Sequence, residues 1–221
     1  MPTAKAPADH SDPASASAAA RRAGTVTFRL TSTRQKHGFP AEPLLSGDGA
    51  LDLTSRAGRM SVDFGALLNW PTNEPDIVRV WWDEATLNAR GSLDIRNGTG
   101  EPRRTSGIGR MADEPPALLA VLASARVKGA GRATQIDGRP VTRFALVLSA
   151  AAAKRARVPA DPALDVTKGL QLTVWIDGAG LPVRLAYQVT LPPMKRVKLP
   201  ARTTRVIYDF GAYGEPVDVG P

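Results

Sequence analysis

Residues 172–191 read LTVWIDGAGLPVRLAYQVTL. Before the Asp-Gly-Ala-Gly turn, Leu172, Val174 and Ile176 alternate with Thr173, Trp175 and Asp177. After it, Leu181, Val183, Leu185, Tyr187, Val189 and Leu191 alternate with Pro182, Arg184, Ala186, Gln188 and Thr190. Period-two alternation around a Gly-containing turn predicts a β-hairpin with one apolar and one wet face. The apolar face must be covered, and what covers it decides the fold.

Similar segments flank the hairpin on both sides. Val26, Phe28 and Leu30 share one face of a first strand; Leu51 and Leu53 mark a second, with Ala57-Gly58 as the expected turn to a third carrying Met60, Val62 and Phe64. In DIVRVWWD (76–83), Val78, Val80 and Trp82 oppose Ile77, Arg79 and Trp81. Residues 126–148 predict another hairpin around Ile136-Asp137-Gly138-Arg139, with Phe144, Leu146 and Leu148 on one face. TTRVIYDF (203–210) predicts a last strand with Val206, Tyr208 and Phe210 in register. Helices are expected at ASASAAARRA (14–23), ended by Gly24, at PPALLAVLASA (115–125), where the prolines suit a first helical turn, and at SAAAAKRAR (149–157). Residues 92–114 are polar, Gly-rich and aperiodic, and read as a long loop.

About nine or ten strands with two or three short helices predict an α+β fold. It is a large curved antiparallel sheet, a half-barrel, wrapped around helices too small to fill it. The space left over would be an apolar cavity, the default ligand site. Its expected lining is Val26, Phe28 and Leu30 from the first strand and Met60, Val62 and Phe64 from the third. Val78, Val80 and Trp82, with Leu118 and Leu122 of the helix, would extend it. Phe144, Leu146 and Leu148, and then Val183, Leu185 and Tyr187, would complete it. A closed barrel or sandwich with an ordinary packed core is the alternative.

Length and composition set further bounds. The 221 residues suit a disordered Pro/Ala-rich linker at 1–13 and a single domain at 14–221. Cysteine is absent, which excludes disulfides and thiolate chemistry in this chain. No apolar run approaches the roughly 18 residues of a membrane helix, and residues 1–13 contain no apolar core of a signal peptide. The net charge of +8 comes from scattered basic residues. It reads as a solvated surface, and no specific nucleic acid is expected.

Catalytic constellations find little support. His10 and His37 are far apart and neither accompanies a G-x-S-x-G elbow. Asp137, Asp177 and Asp209 sit in or beside expected turns, where Asp bonds its own backbone. GAGRAT (129–134) lacks the G-K-[ST] ending of a phosphate loop. Trp81, on the outward side of its strand, is a candidate surface contact. No catalytic residue, metal or cofactor is expected.

Several segments resemble the LolA-like lipoproteins of actinobacteria, the group that includes the mycobacterial lipid-carrier lipoproteins. The Ala-rich helix running into AGTVTFRLTST is similar to the family's first helix and strand, and GDGALDLTSRAGRMSVDF to its second and third strands. PPALLAVLASA followed by QIDGRPVTRF matches its helix and hairpin. The hairpin at 172–191 fits the family's W-x-D-x-x-G-L-P-x-R pattern, and YDFGAYGEPVDVGP resembles its closing D-F-G and P-V phrase. The likeness covers about residues 14–221. It implies a half-open sheet around helices, with a cavity for a lipid or acyl-chain ligand and no reaction. It also implies a monomer on the outer face of the cytoplasmic membrane, in the cell envelope, held by an upstream lipid anchor. This chain carries no lipobox cysteine, so the anchor is an expectation from the resemblance alone. A structural or sensory envelope domain of the same fold, working through protein contacts, is the alternative function.

Overall fold

Asp177 closes the decisive hairpin by accepting hydrogen bonds from the Ala179 and Leu181 backbone N–H groups, both at 3.0 Å. The strands it joins, β10 (Leu170–Asp177) and β11 (Pro182–Leu191), are antiparallel, as predicted. The computed structural model describes residues 12–55, 57–63, 77–82, 93–96, 103–105, 108–159, 166–193 and 200–219.

Ahead of this hairpin lie helix α1 (Pro13–Ala23), then β1 (Thr25–Lys36), β2 (Ala41–Asp52), β3 (Ala57–Asp63), β4 (Ile77–Trp82), β5 (Leu93–Arg96) and β6 (Arg103–Thr105). Helix α2 (Ile108–Val121) follows, with β7 (Arg126–Val127), β8 (Arg132–Ile136), β9 (Arg139–Leu148) and α3 (Ala150–Ala156); β12 (Arg202–Gly211) comes after the hairpin. All twelve strands join one sheet in the order β6-β5-β4-β3-β2-β1-β12-β11-β10-β9-β7, with β8 also on β9. Every described pairing is antiparallel. The path runs from β6 to β7 without closing on itself. The sheet is an open half-barrel.

Three helices cover its apolar face among the described residues. α1 packs on β1, β10 and β11, and α2 packs on α1, α3 and β3. Ala16 and Ala20, one helical turn apart, are fully buried, so the α1 backbone can approach the sheet closely. Asp12 caps α1 through the Ala14 and Ser15 N–H groups, and Ser149 caps α3 through Ala152. Pro13 is the first residue of α1, one residue before the expected helix start.

Four sequence expectations need correction. The segment read as a loop at 92–114 contains β5, β6 and the first half of α2. Prolines at 115 and 116 looked like a helix start, yet they lie inside α2. Proline removes a ladder N–H and crowds the preceding turn. Tertiary bonds at Glu114, described below, oppose that penalty. The turn between the second and third strands is at Leu53–Ser55, where Asp52 accepts from the Thr54 and Ser55 N–H groups. Ala57-Gly58 instead begins β3. Finally, Asp209 stands within β12, where it pairs with Arg184.

Candidate functional site

The inward positions of the sheet converge on one apolar cluster. Val26, Phe28 and Leu30 of β1, Met60 and Val62 of β3, and Leu118 and Leu122 of α2 are all buried in it. Leu146 and Leu148 of β9 and Leu185 and Tyr187 of β11 join them, and Phe144 packs against the cluster half-buried. Close packing needs room as well as bulk. Gly49, opposite Phe28 in the register, leaves its face of β2 open to the Phe28 ring. A Cβ there would stand 2.4 Å from Phe28 Cζ. Phe28, Tyr208 and Phe210 then form an aromatic row, with centroids 6.0 and 6.2 Å apart. Where α1 and α2 cover the sheet, these expected lining residues are buried in the cluster.

Val183 departs from the expected lining. The β10–β11 register shifts between Trp175 and Ile176, so that Trp175 faces Arg184 while Ile176 faces Pro182. Val183 is the extra residue of this bulge, and a bulge re-aims the side chains beside it. Pro182 is buried in its stead and Val183 is half-buried, outside the apolar cluster.

The remaining expected residues belong to the β3–β6 flank. Phe64 lies outside the described residues. Val78 and Val80 stand opposite Val62 and Met60 in the register, and Trp82 stands opposite Gly58. Ile95 stands opposite Val80. Alternation puts these positions on the sheet face shared by Met60 and Val62. The apolar face thus runs in register from β9 to β5, continuing beyond β3, which packs against α2. The side chain of Trp81, like those of its neighbours in β4, lies outside the described set.

Among the buried polar side chains described, Ser17, Ser32, Glu114 and Thr204, only Glu114 carries an ionisable group. Glu114 of α2 is 4 % exposed. It accepts hydrogen bonds from the Tyr187 hydroxyl at 2.5 Å and the Tyr208 hydroxyl at 2.7 Å. A buried carboxylate is tolerated only when charge-assisted bonds replace lost hydration. Burial first, and the Glu114 charge second, push the Tyr208 hydroxyl well above its ordinary value. Sequence reading missed Glu114 because an Asp-Glu pair before two prolines looks like the end of a loop. The available signal was the pair of tyrosines on the apolar faces of β11 and β12, whose hydroxyls need a buried partner.

Two depressions lie in the described surface. One, of about 810 Å³, sits at the end of the sheet where β1 and β11 begin and β2 and β12 end. The turn between β8 and β9 borders it. Its lining mixes Phe28, Met60 and Val141 with Arg29, Asp48 and Arg184. A cross-strand row of charge runs here, Arg184 opposite Asp209, Asp209 opposite Arg29 and Arg29 opposite Asp48. The other depression, of about 1110 Å³, spans β9–β12. Its outward residues include Arg143, Trp175, Gln188 and Arg205.

No protein-family profile and no curated protein sequence matches the chain. Solved structures do match. Lipoprotein LppX of Mycobacterium tuberculosis is similar at a TM-score of 0.53 and 15% identity, covering 92% of this chain and 94% of that one. LprF of Mycobacterium bovis is similar at a TM-score of 0.51 and 14% identity, covering 93% and 92%. At such identities the likeness establishes a shared fold and nothing of role. The fold spans nearly all of each chain.

Proposed function

We propose that this protein is a non-catalytic carrier that receives the acyl chains of a lipid or lipidated molecule. The observation that carries this reading is the apolar sheet face that continues in register from β3, on which α2 packs, onto β4 and β5. The acyl chains would lie along this flank, beside α2, with Met60, Val62, Val78, Val80 and Trp82 as its wall. Leu118 and Leu122 would close it from the helix side. The buried cluster under α1 would act as the rigid backing. Each methylene transferred from water would contribute roughly 0.8 kcal/mol, enough for a long chain to outweigh association costs.

The shared fold with a protein described as a lipoprotein supports an address on the outer face of the cytoplasmic membrane, reached through a lipid anchor; the protein would act there as a monomer. Among the described residues no helix is long and apolar enough to cross a membrane. A second reading, an envelope domain acting through protein contacts without lipid, draws on the close burial of the cluster under α1. Native mass spectrometry of protein purified from its own host separates the two. Acyl-chain adducts that extract into organic solvent and are displaced by a fluorescent fatty-acyl probe are expected. A protein that flies only at its bare mass and binds no probe would establish the second reading.

A further inference from the structure

The outward face of β9–β12 has chemistry that the carrier reading does not use. Alternation turns Trp175, between buried Val174 and Ile176, away from the helices. The Arg143 guanidinium lies 5.7 Å from the indole centroid. An arginine stacked on an aromatic ring is pre-organised to offer its N–H fork to a carboxylate. Among the described residues no carboxylate takes that offer. Arg143, Arg205 and Lys168 line the same depression, and none of them makes an ion pair there. Gln171 and Gln188, both exposed, add amide donors and acceptors to its floor.

Each of these groups recognises a different part of one kind of molecule. Indole beside a sheet surface suits the C–H face of a sugar ring. Side-chain amides suit hydroxyls, which need donors and acceptors at once. Three cations without carboxylate partners suit anions repeated along a chain. A planar membrane meets the cations but does not enter a depression of about 1110 Å³. We infer that this face is a binding site for an acidic polysaccharide, a chain of sugar rings bearing carboxylates. Charge complementarity selects the anion, and the Trp175–Arg143 stack selects the sugar.

Affinity electrophoresis through gels containing polygalacturonate tests this, with dextran as a neutral glycan and polyphosphate as a polyanion without sugar rings. Retardation is expected in polygalacturonate and in neither control gel. Trp175→Ala, Arg143→Gln and Arg205→Gln should each weaken it by at least about tenfold, the cost of one charge-assisted contact. Trp175→Phe should retain most of it, and Lys154→Gln, on α3, should leave it unchanged. If Trp175→Ala fails to fold, the two arginine variants decide the matter. Free migration in polygalacturonate, or equal retardation in polyphosphate, would overturn the assignment. So would arginine variants that lose binding to vesicles of anionic phospholipid while keeping the glycan.

Discussion

Glu114 joins α2 to β11 and β12 through two tyrosine hydroxyls, and its removal takes this acceptor from both in an apolar interior. Glu114→Ala should therefore cost about 3 kcal/mol of stability in urea denaturation, more than either tyrosine-to-phenylalanine change alone. The same cluster sets an alkaline limit. Tyr208 is held protonated in the fold, whereas in the unfolded chain it ionises near its ordinary value of 10.0. Stability from this group is complete below about pH 10 and declines as pH rises above it, because only the unfolded state gains by releasing the proton. Burial first, and Asp177 second, move Tyr213 in the same direction. Urea midpoints between about pH 9 and 11.5 should fall in the wild type and fall less steeply in Tyr208→Phe. Equal slopes would show that Tyr208 ionises freely within the fold.

At the scale of elements, strands were legible wherever one face is buried and the other wet. The hairpin at 172–191 shows why, since Leu172, Val174 and Ile176 are buried and each outward neighbour is more exposed. The bulge was not legible. It shifts the β10–β11 pairing near the Asp177 turn, and no alternation pattern records which residue is left over. Helix α2 was half legible because proline rules describe local preference, whereas Glu114 holds its segment through partners 73 and 94 positions away. Of the candidate site, the buried lining was readable from periodicity. Close approaches such as Gly49 against Phe28 were not, because they depend on the register between strands rather than on the pattern along one of them. Helix α1 follows local rules throughout. Its cap carboxylate, Asp12, is held below its ordinary value of 3.8, chiefly by the Ser15 hydroxyl. A group depressed in this way stabilises the fold above the unfolded value and loses its effect as pH falls through the folded one. Asp12→Ala should cost about 1 kcal/mol at pH 7 and less at pH 3, measured by thermal unfolding at both.

For the whole molecule, solid core and proposed lipid flank should respond in opposite ways to added bulk. Leu185 is fully buried among packed neighbours. Leu185→Trp should lose about 1–3 kcal/mol by overpacking, without a selective effect on acyl-probe binding. Leu146→Ala, which empties the same core, should lose about 2–5 kcal/mol. Val80→Trp, on the β4 flank, should keep most of its stability and lose probe uptake. Paired melting curves and probe titrations check this. A Val80→Trp variant that binds the probe as tightly as the wild type would remove the β3–β6 flank from consideration.

The central seam of the sheet joins β1, near the start of the chain, to β12, near its end. The Thr27 hydroxyl bonds the Gly211 carbonyl across 184 positions, and residues from Thr27 to Lys36 pair with residues from Gly211 back to Arg202. Everything between them can form hairpins locally, but the two flanks meet only when both ends of the chain are present. Contact order is therefore concentrated in one seam, which predicts refolding on the millisecond-to-second scale of β-rich topologies. A nascent chain lacking β12 has two unjoined half-sheets, each exposing a strand edge where the seam would be. β12, which follows every other described strand in chain order, completes the sheet, and until it is made the polypeptide is held open by its own topology.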